Sequence, residues 1–266
     1  MTKTLCGFCE SATKISREHV FGEWIGPILG SDRAGVTVQH RFKQDEAATV
    51  QWNVPRLDQK VKMPCRTCNV GWMEALETLM RPIVTPMILG RGPVVLNVFS
   101  QVVIATWAVK TAMVMEYLQK ANKRYFTQAE RTSIMADAVP SRAMGAHVWI
   151  GRYASKNDGV LGSAACLRGP HHAIQAHLST FALGQFAVQV LVERSTAGQR
   201  GRLLVARPGP WDTLLIEIWP PTADTAVWPP ARVVLRRGFE LLFSRFLARG
   251  GRPVPPPGAS SEVRPL

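Results

Sequence analysis

Cys6-Gly7-Phe8-Cys9, Arg17-Glu18-His19-Val20-Phe21 and Cys65-Arg66-Thr67-Cys68-Asn69-Val70-Gly71-Trp72-Met73 are the three pieces that decide how this 266-residue chain folds. In a Cys-x-x-Cys pair a knuckle turn aims both sulfurs at one point, and two such pairs supply the four thiolates of a tetrahedral zinc site. Here 55 residues separate the pairs, far more than a zinc ribbon needs, so a folded or functional excursion is expected between them. Cys6, Cys9, Cys65 and Cys68 are therefore predicted to hold a structural Zn²⁺, the alternative being four buried thiols that never meet. Cys166 stands in an apolar strand-like stretch and reads as packing.

The order Cys-x-x-Cys, Glu-His-Val, then Cys-x-x-Cys-Asn opening a helix resembles the HNH endonucleases of the ββα-metal (His-Me finger) class, over roughly residues 4–80. The resemblance implies that His19 is the general base that activates water and that Glu18 binds the catalytic divalent metal, Mg²⁺ or a similar ion. An imidazole ordinarily titrates near about 6.5 and can take a proton from water, while a hard divalent cation prefers oxygen ligands. Asn69 matches the family's metal ligand at the start of the helix; the competing role for it is a helix N-cap. Glu77, two turns on, is a weaker further ligand, set against a solvated helix charge, and Trp72 reads as a core anchor. The chain also departs from the family pattern. Val20-Phe21-Gly22-Glu23-Trp24 stands where members often carry Pro and Gly-Gly, and Met73 stands where a His would supply a third ligand. Asn53 is the sole Asn between His19 and Asn69, and so the one candidate there for orienting the base.

Lys and Arg number 32 against 19 Asp and Glu, a net charge of +13, which favours a polyanionic partner. Residues 1–95 carry 12 basic and 9 acidic side chains and the remainder 20 and 10, so the electrostatic grip is expected mainly from the second part. The expected partner is nucleic acid, with DNA foremost. Arg17, Arg41, Lys43, Arg236, Arg237, Arg245 and Arg249 are the candidate phosphate contacts. Apolar residues at 46% and charged residues at 19% rule out a chain disordered by composition. The first residues hold no apolar run of secretory type, so a cytoplasmic location with reduced thiols is expected. Pro93 to Leu118 is long enough for a membrane span, but Asn97, Ser100, Gln101, Lys110 and Glu116 interrupt it. It reads as an amphipathic core helix with Lys110 and Glu116 on its wetter side, and no membrane partner is expected.

The expected fold class is α+β. A zinc-knuckle ββα module (1–81) leads through a hinge (82–95) marked by Pro82, Pro86, Gly90, Gly92 and Pro93 into a basic domain (96–249) and a disordered proline-rich tail (250–266). The basic domain is predicted to hold helices at 96–119 and Thr127 to Asp137, the second opened by a Thr127/Glu130 capping box. Strands follow at 147–150, 160–167, 172–181, 185–192, 203–206 and 214–219 as an antiparallel meander, and a last helix runs from Arg236 to Arg249. The function expected is metal-assisted hydrolysis of phosphodiester bonds. The alternative is a non-catalytic zinc-knuckle nucleic-acid-binding protein with a degenerate nuclease site.

Overall fold

The computed structural model describes residues 4–30, 36–42, 48–54, 59–119, 121, 124–154, 159–168, 174–195, 213–236, 242, 248–249, 252–253 and 263–265. In chain order the first half holds β1 (Ile15–His19), α1 (Ile25–Leu29), β2 (Val36–Phe42), β3 (Ala48–Val54), β4 (Lys60–Cys65), α2 (Arg66–Cys68), a π-helical turn (Asn69–Met73) and α3 (Glu74–Ile88). β1 and β4 form an antiparallel two-stranded ribbon, Arg17 opposite Lys62 and His19 opposite Lys60. The second knuckle follows β4 at once and runs through the π turn into α3.

Pro82 and Pro86 do not make a hinge: both lie inside α3. A proline in a helix removes one hydrogen bond and crowds the carbonyl four residues back. Pro82 is exposed, as is Thr78, whose carbonyl is the one left without its usual donor, so water can serve it. The opposite face buries Leu76, Met80, Val84, Met87 and Ile88, and this packing outweighs the local cost.

Next come β5 (Val94–Asn97), α4 (Val98–Met115), a 3₁₀ turn (Glu116–Leu118) and α5 (Gln128–Asp137). Val98–Leu118 is long and apolar enough to cross a membrane by composition, and 78% of its most apolar window is buried inside the protein. α4 is buried from Val103 to Met115 without a break, so over that stretch it has no wet side. Lys110 and Glu116, expected there, are each 1% exposed. Each is matched instead by partners from other elements. Glu116 accepts from the backbone N–H of Tyr125 (2.7 Å) and Phe126 (3.1 Å) and from Arg131 Nη1 (3.0 Å). α5 begins as expected: Thr127 Oγ1 accepts from the Glu130 N–H, and Glu130 reaches back to the Thr127 N–H.

The remaining strands are β6 (Ala146–Tyr153), β7 (Val160–Arg168), β8 (Ile174–Leu183), β9 (Phe186–Ser195), β10 (Leu215–Trp219), β11 (Thr225–Trp228), β12 (Arg232–Val234), β13 (Ala248–Arg249), β14 (Arg252–Pro253) and β15 (Val263–Pro265). β7, β8 and β9 make the expected meander, and Gly184, at φ 54°, takes the left-handed position in the tight β8–β9 turn. The whole sheet is mixed, in the order β15-β12-β6-β9-β8-β7-β2-β3 with β10 on β6. β2 runs parallel to β7, and β12 parallel to β6. A pure antiparallel meander is thus corrected, because the excursion between the two knuckles folds as the β2–β3 hairpin onto the edge of the later strands. One core cluster runs from Cys6 and Phe8 through α3 and α4 to Trp228. The overall class is mixed α+β. Of the predicted last helix, Arg236 is helical, Arg237 and Arg245 lie outside the described residues, and Ala248–Arg249 is strand paired with Arg252–Pro253. In the proline-rich tail Val263–Pro265 pairs with β12, and the predicted strand 203–206 lies outside the described residues.

Arg131 ties this core to the first knuckle, donating to Gly7 O (2.9 Å), Phe126 O (2.7 Å) and Glu116. Arg131→Met takes the ion-pair partner from the buried Glu116 carboxylate, which keeps the Tyr125 and Phe126 N–H donors. It should lower unfolding stability by about 3–5 kcal/mol, measured by denaturant titration; a loss within error of zero would contradict this role.

Candidate metal centre and acidic cleft

The four cysteine sulfurs lie within 4.8 Å of one another, and among the described residues they are the one such group of potential metal ligands. Cys6 and Cys68 are 3.8 Å apart and Cys9 and Cys65 3.7 Å. Sulfurs about 2.3 Å from a central zinc stand about 3.8 Å apart at the corners of a tetrahedron. Backbone N–H groups of Cys65 (3.1 Å) and Phe8 (3.5 Å) point at Cys6 Sγ, and that of Cys68 (3.4 Å) at Cys65 Sγ. Such donors stabilise thiolates. Burial pushes the Cys6 and Cys68 thiols up. At Cys65 burial also raises the thiol, but the Cys68 N–H and the Thr13 hydroxyl outweigh it and bring it to about 6. Thiols this close cannot all ionise without a cation among them, so spacing and donor chemistry both fit a structural Zn²⁺.

The knuckles bring β1 against the start of α3. A cleft of about 170 Å³ opens there, lined by Glu18, His19, Gly22, Glu23, Asn69, Val70, Met73, Glu74 and Glu77. Neighbours on a strand point to opposite faces, and Glu18 is buried while His19 is half-buried at the strand's last position. At that open end both border one cleft. Asn69 is no N-cap, since Cys65 Sγ caps α2. Its amide nitrogen instead donates to Ser16 Oγ (3.2 Å) and Arg17 O (3.4 Å), fastening the helix start to β1.

Glu77 is no solvated helix charge. Its Oε1 accepts from Lys110 Nζ at 2.8 Å and its Oε2 from Trp24 Nε1 at 3.0 Å. Gly22 permits this, because a Cβ there would stand 2.4 Å from both Glu77 Oε2 and Trp24 Nε1. Lys110 Nζ is also 4.0 Å from Glu18 Oε1. Burial raises the Glu18 carboxyl to about 7; Lys110 opposes that rise, Glu77 adds to it, and Asn69 opposes it by hydrogen bonding. Lys110, Gly22 and Trp24 are the site residues that sequence reasoning missed. The available signal was a lone lysine in a run apolar all round, which has no solvated face to hold it.

The other sequence candidates are scattered. Arg17 is exposed on β1, Arg41 is on β2 and Asn53 on β3 of the large sheet, and Lys43 lies outside the described residues. Trp72 packs edge to face on Phe8 with centroids 4.9 Å apart, the anchoring role expected of it.

Two outcomes follow from this geometry. Zinc content should approach one ion per chain, and Cys68→Ser should lose the metal and the cooperative unfolding of the β1–β4 ribbon; a metal-free protein with an unchanged transition would contradict the centre. Glu18 titrates near 7 in the folded chain rather than near 4.5, so its contribution to stability is full below pH 4.5 and is lost as pH rises through 7. Without added magnesium, Glu18→Gln should therefore gain on the wild type in thermal unfolding between pH 5 and pH 8, by up to about 3 kcal/mol. An equal difference at both pH values would exclude the buried carboxylate as its source. No family model, no curated protein and no solved structure matches this chain, which leaves the chemistry of the thiol cluster and the cleft to speak for its function.

Proposed function

We propose that the protein is a zinc-stabilised, HNH-like endonuclease that hydrolyses phosphodiester bonds of nucleic acid, DNA foremost, with divalent-metal assistance. The observation that carries this reading is the convergence of Glu18, His19 and Asn69 on one cleft beside a four-thiol cluster. A two-stranded ribbon followed by a helix supplies the matching ββα order.

His19 takes the proton from the attacking water. Its half-buried place at the end of β1 leaves the ring at the cleft rather than in the core. Glu18 would hold the catalytic ion, Mg²⁺ or a similar one, and Asn69, whose amide nitrogen is committed to β1, would offer its carbonyl oxygen. One or two carboxylates plus water and substrate oxygens suit Mg²⁺, so the donor set fits without a third fixed protein ligand, and Met73 in the place of a family His is compatible with it. When bound, such an ion neutralises charge on the phosphoryl and leaving oxygens. Glu77 is engaged by Lys110 and Trp24 and serves as the cleft's inner wall.

Cleavage of plasmid and single-stranded DNA by purified protein with Mg²⁺ or Mn²⁺ tests this directly. His19→Ala should keep the zinc and the unfolding midpoint while losing cleavage by on the order of a hundredfold or more. A folded and fully active His19→Ala protein would sink the assignment. Binding without cleavage by the wild type would favour the non-catalytic zinc-knuckle reading.

A further inference from the structure

We propose that the outward face of the β1–β4 ribbon, carrying Arg17, Lys60 and Lys62, is the track that seats the sugar–phosphate backbone of a DNA duplex and leads it to His19. The inference rests on reading the cleft as a nuclease site, and it names the surface that grips the substrate. The register fixes the arrangement: Arg17 lies directly opposite Lys62, and His19 directly opposite Lys60. Directly opposed residues share a face, as do residues two apart, so all four side chains stand on one side of the ribbon. Arg17, Lys60 and Lys62 are exposed there, while Glu18, Val61 and Met63 turn inward. The ribbon's single acid, Glu18, is thus withdrawn from that face.

Arg17 and Lys62, directly opposite on the two strands, oppose folding, since like charges facing each other across strands repel. A chain accepts that cost where the charge serves a partner. Charge complementarity names the partner's chemistry. The cleft itself carries Glu18, Glu23, Glu74 and Glu77 and repels a phosphate. A polyanion therefore needs cations immediately beside the cleft, and this face supplies them in line with His19.

The test uses full-length protein carrying His19→Ala, so that DNA stays intact, and follows fluorescence anisotropy of a labelled duplex across a salt series without added magnesium. Adding Arg17→Thr, Lys60→Thr and Lys62→Thr should make the slope of log affinity against log salt shallower by about 2 to 3 and weaken binding at physiological salt by on the order of tenfold or more. The thermal midpoint should stay level or rise as the opposed charges are removed. An unchanged salt slope would overturn the proposal. If the triple variant folds poorly, Lys62→Arg, which keeps the charge, must bind like its parent; loss of binding in that variant would also overturn it. A wild-type protein that cuts nothing, yet binds through these three side chains, would overturn the nuclease reading and leave the track supported.

Discussion

Lys110 is an ammonium group almost wholly withdrawn from water, and both sides of the cleft are organised around it. It reaches from α4 to Glu77 on α3 and toward Glu18 on β1. Burying a charge costs several kcal/mol or more unless it is paired and hydrogen-bonded. The lysine therefore holds two carboxylates inward that would otherwise repel each other, and the carboxylates oblige α4 to pack where it does. The consequence for chemistry is a pair of acids kept close together and only partly neutralised, with Glu18 pushed up to about 7. Perturbed groups of this kind collect at functional sites because stability alone would not retain them.

The thiol cluster and α5 do for the knuckles what Lys110 does for the cleft. Phe8 O accepts from Gln128 Nε2 (3.2 Å) and Thr132 Oγ1 (2.8 Å), and Gly7 O accepts from Arg131. The first knuckle is thus clamped by a helix more than a hundred residues later in the chain. Glu130, part of the α5 capping box, also accepts from Arg194 Nε on β9 at 2.9 Å, joining that helix to the large sheet. The β1–β4 ribbon and α3 in this way share one hydrophobic cluster with α4, α5 and the large sheet.

The charge pattern follows the same division of labour. An acidic cleft lies beside a basic ribbon face, and their nearness comes from the alternation of a strand: Arg17 and His19 outward, Glu18 inward. Net charge alone placed the grip in the later part of the chain. The strand register adds Arg17, Lys60 and Lys62 on the ribbon face that carries His19.

Cys-x-x-Cys spacing was enough to identify the four thiols, because a knuckle turn is local and its geometry is set by the residues within it. The Thr127/Glu130 capping box, the β7–β9 strands and the Glu18-His19 pair at a strand end were legible for the same reason, since caps and alternation act over a few residues. Pro82 and Pro86 misled because a local helix penalty was outweighed by the buried face of α3, a tertiary effect. Lys110 and Glu116 misled because a polar residue in an apolar run looks the same whether it meets water or a partner. Their partners Glu77 and Arg131 come from other helices, 33 and 15 residues away. The sequence by itself determined which side chains could bind metal and where strands and caps begin. Only the tertiary structure decided which charges are buried together, because that depends on elements distant in the chain packing into one low-dielectric core.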